Sequence, residues 1–210
     1  MLKKLIKVLI SLVILYNLTE WIIRGIYVVL IQSNKYITFG IPMIHLTKYF
    51  TVAIVLIYLF RRYSTLTAAG EKLMSLFLII SISGLLITSL WFNAVHEDKF
   101  IKYRIAWLST HTWDEVDYVE SKISSKLAVS QYTPPKVSEK YDIHFKDGSV
   151  INAWENVSSV YQLHKLVLTK NIDVTYNKKE LESFEQNYSS YFRKEMPEAT
   201  FIFYGVEDKD

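Results

Sequence analysis

Three long apolar runs dominate the first half of the chain, at about residues 8–31, 41–60 and 73–92. Each is close to the ~20 residues that an α-helix needs to cross a bilayer core. The pattern predicts three membrane-spanning helices. The first run, about 24 residues at ~1.5 Å each, is long enough to tilt or to reach into the headgroups. Its start, Met1-Leu2-Lys3-Lys4, imitates a signal peptide. Bulky residues nevertheless continue through Trp21-Ile22-Ile23 with no small-x-small cleavage site, so it reads as a retained signal anchor. The second run opens at Gly40 and Pro42 and closes at Arg61-Arg62. Proline costs little there, because the first helical turn leaves its N–H groups unpaired anyway. The third follows Gly70-Glu71-Lys72 and ends near Trp91, an interfacial residue type.

Past residue 95 the pattern turns polar and the period shortens. Phe100–Ile105 alternates with period two, as do Val116–Ile123 and, more weakly, Leu127–Tyr132, before a break at Pro134-Pro135. Tyr141–Phe145 and Val150–Trp154 flank Asp147-Gly148, the signature of a β-hairpin. Helical spacing follows at Val157, Val160, Leu163, His164 and Leu168, predicting a helix from Asn156 to Thr169. Ile172–Tyr176 reads as a strand, Lys179–Glu195 as a helix stopped before Pro197, and Thr200–Tyr204 as a last strand. The expected fold is a membrane α-helical bundle of three spans (residues 1–95), followed by a soluble α+β domain with a mainly antiparallel sheet (residues 96–210).

Charge sharpens that division. Residues 1–95 carry nine Lys/Arg against two acids, a net of +7, and residues 96–210 carry fifteen against nineteen, a net of −4. The basic excess flanks the spans and the tail is mildly acidic, so nucleic acid is not an expected partner. The chain has no cysteine, which excludes disulfides, thiol nucleophiles and cysteine-based zinc sites. Lys3, Lys4 and Lys7 precede the first span, and Arg61, Arg62 and Lys72 mark the second connection. The positive-inside rule makes both cytoplasmic and puts the tail outside. Lys99, Lys102 and Arg104 pull the other way, and if residues 5–31 merely lay along the surface the tail would become cytoplasmic.

Asn17, Glu20 and Arg24 interrupt the first span at spacings of three and four, on one helical face that Tyr27 continues. A charge at the bilayer centre costs ~2.5–3.5 kcal/mol by insertion scales and normally faces protein or a watery cavity. His45 and Lys48 lie within two turns of the start of the second span. Ser81, Gly84 and Thr88 give the third span a small-residue stripe against which another helix can pack. Asn17, Glu20, Arg24, His45 and Lys48 form either a polar pocket for an anionic headgroup or partner helix, or a setting for a structural Glu20–Arg24 ion pair that fixes helix register, with Lys48 snorkelling outward.

The stretch Thr112-Trp113-Asp114-Glu115-Val116-Asp117-Tyr118-Val119-Glu120, with the Asp147-Gly148 hairpin and the helix after it, resembles the pleckstrin-homology-like domains of small bacterial membrane proteins. The resemblance covers about residues 99–176. It implies a binding or scaffolding module, and brings no catalytic residues and no cofactor.

Five histidines occur, His45, His96, His111, His144 and His164, none in a tight metal-ligand spacing. His96-Glu97-Asp98 and the acidic run Asp114, Glu115, Asp117 and Glu120 read more simply as solvated charge than as a metal or acid–base site. Three functions follow as expectations. The first is a non-enzymatic multi-pass membrane protein whose soluble domain binds a protein partner or lipid. The second is an accessory or immunity-type protein that docks through its spans. The third is an envelope enzyme acting on lipid or polymer through His96, Glu97, Asp98 and the tail's acids.

Overall fold

The computed structural model describes residues 2–31, 35–105, 107–126, 136–176 and 181–206. They fall into two compact units, a helical one drawn from 1–34, 41–92 and 103–108, and a mixed one drawn from 35–40, 93–102 and 109–210.

The helical unit contains α1 (Leu2–Ile31), α2 (Ile44–Tyr63) and α3 (Ala68–Ser89). All three are long and apolar enough to cross a membrane. Their burial pattern is inverted relative to a water-soluble bundle. Trp21 and Val29 are each 78% exposed and Ile79 is 61% exposed, whereas Thr19, Thr47, Lys48, Ser81 and Thr88 are buried. Helix α3 begins where the Thr67 hydroxyl accepts from the Gly70 N–H at 3.2 Å, a side-chain N-cap. It ends at Ser89, earlier than the apolar run does, because Trp91–Val95 changes to a strand. Hydropathy alone does not register that switch. Gly84 lets α2 approach: a Cβ built there would lie 2.4 Å from the Phe50 ring.

Strands β1 (Thr38–Gly40), β2 (Trp91–Val95), β3 (Lys99–Arg104) and β4 (Trp107–Thr112) form one sheet in that order. β1 lies in what the sequence presents as a plain connection between spans. It pairs antiparallel with β2, Thr38 opposite Val95 and Gly40 opposite Asn93. Between β3 and β4 the chain turns through Ile105 at φ 59°. A left-handed backbone costs roughly 1–3 kcal/mol outside glycine, and β-branched residues are the least suited to it.

The second sheet has the order β7-β6-β5-β8. β5 (Val116–Lys126) and β6 (Lys136–Phe145) pair antiparallel, from Val116 opposite Phe145 to Lys126 opposite Lys136. β7 (Val150–Asn152) is antiparallel to β6, and β8 (Val174–Thr175) is parallel to β5. The predicted hairpin is present, its turn held by the Gly148 N–H on the Phe145 carbonyl and the Ser149 N–H on the Asp147 carboxylate, both 2.8 Å. Alternation along β5, β6 and β7 sends Val119, Ile123, Tyr141, Ile143, Phe145 and Ile151 into the core.

Helices α4 (Val157–Thr169), α5 (Leu181–Phe192) and α6 (Met196–Tyr204) complete this unit. α4 starts at Asn156, whose side chain accepts from the Ser159 N–H at 2.9 Å. α5 buries Phe184, Tyr188 and Phe192, one face at a spacing of four. The expected strand over Thr200–Tyr204 is instead the body of α6. Pro197 sits in its first turn, where it favours helix entry, and Gly205 ends it in a left-handed conformation. Phe201, Ile202 and Phe203 are all buried, and a short helix apolar on every side has no periodicity to distinguish it from a strand. The expected strand at Leu127–Tyr132 and the Pro134-Pro135 loop lie outside the described residues.

Candidate functional site

Glu20 stands at the middle of the apolar stretch Ile10–Val29. One carboxylate oxygen accepts from Arg24 Nε at 3.2 Å, one turn along the same helix. The other accepts from Lys48 Nζ at 2.5 Å, from α2. Lys48 is only 7% exposed, and its ammonium also lies 5.1 Å from the centre of the Tyr16 ring, a cation–π distance. Tyr16 packs against Tyr49 with ring centres 5.6 Å apart, and its hydroxyl is 3.4 Å from His45 Nδ1. The cluster is thus a carboxylate shared by two cations and roofed by aromatic rings.

The sequence places Glu20, Arg24 and Lys48 together, and they meet. Asn17 does not join them. Its amide donates to the Val13 carbonyl of its own helix at 2.8 Å, and the residue is exposed. His45 reaches the group only through Tyr16. Lys48 is turned into the bundle rather than snorkelling away from it, since the lysine stem and the carboxylate meet between α1 and α2. Tyr16 also joins the group, and its spacing signals this, since it precedes Glu20 by the same four residues that separate Glu20 from Arg24. The buried face of α1 is completed by Thr19, Ile23 and Tyr27.

Ser81 and Thr88 are buried on α3 as their stripe implies, with Gly84 against Phe50 between them. The Thr88 hydroxyl donates to the Gly84 carbonyl at 2.8 Å, so it is satisfied within its own helix. At the other end of the bundle Arg61 pairs with Glu71 at 2.9 Å, and Arg62 donates to the Tyr58 hydroxyl at 3.2 Å. An apolar groove of about 660 Å³ runs from these arginines past Ile54, Ile57 and Leu78.

In the mixed unit the histidines occupy separate surroundings. His96 faces Asp98 at 3.5 Å. His111 is buried against the Phe145 ring at 4.1 Å and touches the hydroxyls of Ser109 and Ser149 at 3.0 and 3.2 Å. His144 stacks on Tyr118 at 4.2 Å. His164 is fully buried, with Tyr141 Oη 2.9 Å from Nδ1 and Tyr176 Oη 3.4 Å from Nε2. Burial pushes its pKa down to about 4, so the ring is neutral near pH 7. Among the described residues no three His, Asp or Glu side chains converge as a metal site. Glu115 instead closes a capping box on Thr112, its carboxylate accepting from the Thr112 N–H at 2.8 Å. A cleft of about 260 Å³ opens beside the start of α4, lined by Val157, Ser158, Tyr161, Lys194, Glu195 and Glu198.

Chemically, the Glu20 group holds one net positive charge between two helices. The Lys48–Glu20 contact joins α1 to α2, while the Arg24–Glu20 contact stays within α1. Comparison with family models, with curated proteins and with solved structures finds no match to this chain.

Proposed function

We propose that the chain is a non-enzymatic, three-span membrane protein that holds a soluble α+β binding module on the outer side of the cell membrane. The observation that carries this reading is the inverted helical unit. It presents Trp21, Val29 and Ile79 outward and buries Thr47, Lys48, Ser81 and Thr88, with Lys48 held on the Glu20 carboxylate, a distribution that suits lipid around the bundle and would be costly in water. Orientation follows from Lys3, Lys4, Lys7, Arg61, Arg62 and Lys72 on the inner side. The mixed unit is the binding module, for a protein partner or lipid. That role is supported by the sequence resemblance of about residues 99–176 to pleckstrin-homology-like domains and by the mixed-charge cleft beside α4.

A second reading has a specific observation behind it. The Glu20 and Arg24 side chains are 32% and 39% exposed, so the charge group is open to another helix arriving from the membrane. A protein that docks through its spans would use that opening. Photo-cross-linking in native membranes separates the two readings. With Glu20 and Arg24 both replaced by Leu, cross-links from the surface of the mixed unit persist if that unit binds the partner. They vanish, in a protein that still inserts, if the spans do the docking.

A further inference from the structure

We propose that the tip of the β3–β4 hairpin is a second, non-helical membrane contact, seated in the lipid interface beside the end of α3. It rests on the three-span reading above. Ile105, Trp107 and Leu108 are 42%, 79% and 59% exposed, a concentration of apolar surface at a turn where polar residues are the rule. The tip belongs to the helical unit, not to the mixed one. The Ile105 N–H donates to the Leu90 carbonyl at 3.3 Å, which ties the turn to the last residue of the α3 cap. Leu86, Ile87 and Leu90 in that same end of α3 are themselves exposed, so the apolar surface of the helix continues onto the hairpin.

The surroundings match an interface. The Arg104 guanidinium sits 4.9 Å from the Trp91 ring and donates to the Phe92 carbonyl at 3.0 Å. Phe92 stacks on Tyr103 at 5.3 Å and meets Tyr27 of α1 edge-on at 5.4 Å. Tryptophan, tyrosine and arginine at the ends of spans are the residue types of the headgroup level. The backbone adds an independent argument. Ile105 adopts φ 59°, a left-handed conformation that Asn or Gly ordinarily takes. A β-branched apolar residue held there at a conformational cost, with 42% of its surface still exposed, is in keeping with a lipid contact. The occupant is the phospholipid bilayer that surrounds the spans, rather than a separate protein.

The absence of cysteine makes the test clean. Single cysteines are introduced as Trp107→Cys, Leu108→Cys, Ile79→Cys in mid-α3 and Gln162→Cys on α4, then spin-labelled in the full chain reconstituted into phosphatidylglycerol–phosphatidylethanolamine vesicles. Collision with oxygen reports lipid, and collision with a water-soluble nickel chelate reports water. Oxygen should dominate at 79, 107 and 108, and the chelate at 162. Lipid at 79 but water at 107 and 108 overturns the hairpin contact and leaves the spans intact. Water at 79 overturns the three-span reading, and the hairpin contact with it. Shielding of 107 and 108 from both reagents means a protein covers the tip, and also overturns the proposal. If Trp107→Cys fails to fold, Leu108→Cys alone decides.

Discussion

Replacing Glu20 by Leu will destabilise the helical unit by about 3 kcal/mol or more, the cost of stranding a buried charge whose partner has been removed. Lys48 bears that cost. It is 7% exposed and its closest anionic partner is the Glu20 carboxylate at 2.5 Å. The Tyr16 ring at 5.1 Å recovers only part of it, since a cation–π contact contributes about 0.5–2 kcal/mol. Lys48→Met should be milder, because Glu20 keeps Arg24 one turn away. The double replacement Glu20→Leu with Lys48→Met should regain most of the loss, as burying neither charge is often as stable as burying both. Thermal unfolding in detergent of the four proteins of this cycle gives the coupling directly. Near-additive losses would mean that the two side chains do not hold the helices together.

The second large effect is expected from acid, through His164. Its folded pKa is lowered to about 4 against an ordinary value near 6.5, so between those limits the unfolded chain binds the extra proton. Stability contributed by the neutral ring is therefore complete above about pH 6.5 and is lost as pH falls toward 4, with an upper bound of about 3 kcal/mol across the window. The loss would be felt where His164 holds Tyr141 and packs at 4.9 Å from Phe201, linking β6, α4 and α6. His164→Gln keeps hydrogen-bonding capacity and removes the titration. It should lower stability at pH 7.5 yet flatten the decline between pH 6.5 and 4 by about one proton's worth of slope. The difference between parent and variant melting curves, measured at several pH values, cancels the other titrating groups. Parallel curves would contradict a neutral buried His164.

Periodic features were the most legible in the sequence. Glu20 and Arg24 announce their pairing by a spacing of four, and the Asp147-Gly148 turn announces β6 and β7. Lys48 was readable as a charge at the right depth of the next span. Asn17 shares the face of Glu20, but an asparagine within a helix can satisfy itself on the carbonyl four residues back, as it does on Val13. Two kinds of feature escaped. One is structure set by distant partners. β1 has three residues, and β2 continues an apolar run that hydropathy assigns to a helix, so only their pairing with each other and with β3 defines them. The other is the uniformly apolar Phe201-Ile202-Phe203, whose helix is set by Pro197 before it and Gly205 after it. Ile105, Trp107 and Leu108 belong with these, since apolar residues beside a third span look like more of the span.

On the proposed topology three helices cross the membrane and leave the mixed unit outside. Single cysteines in the otherwise cysteine-free chain test it most directly, at Thr65 between α2 and α3 and at Gln162 on α4, both exposed. A membrane-impermeant maleimide applied to intact cells should label the Gln162→Cys protein at once and the Thr65→Cys protein only after permeabilisation. Labelling of Thr65→Cys in intact cells with protection of Gln162→Cys, or equal labelling of the two, would contradict it.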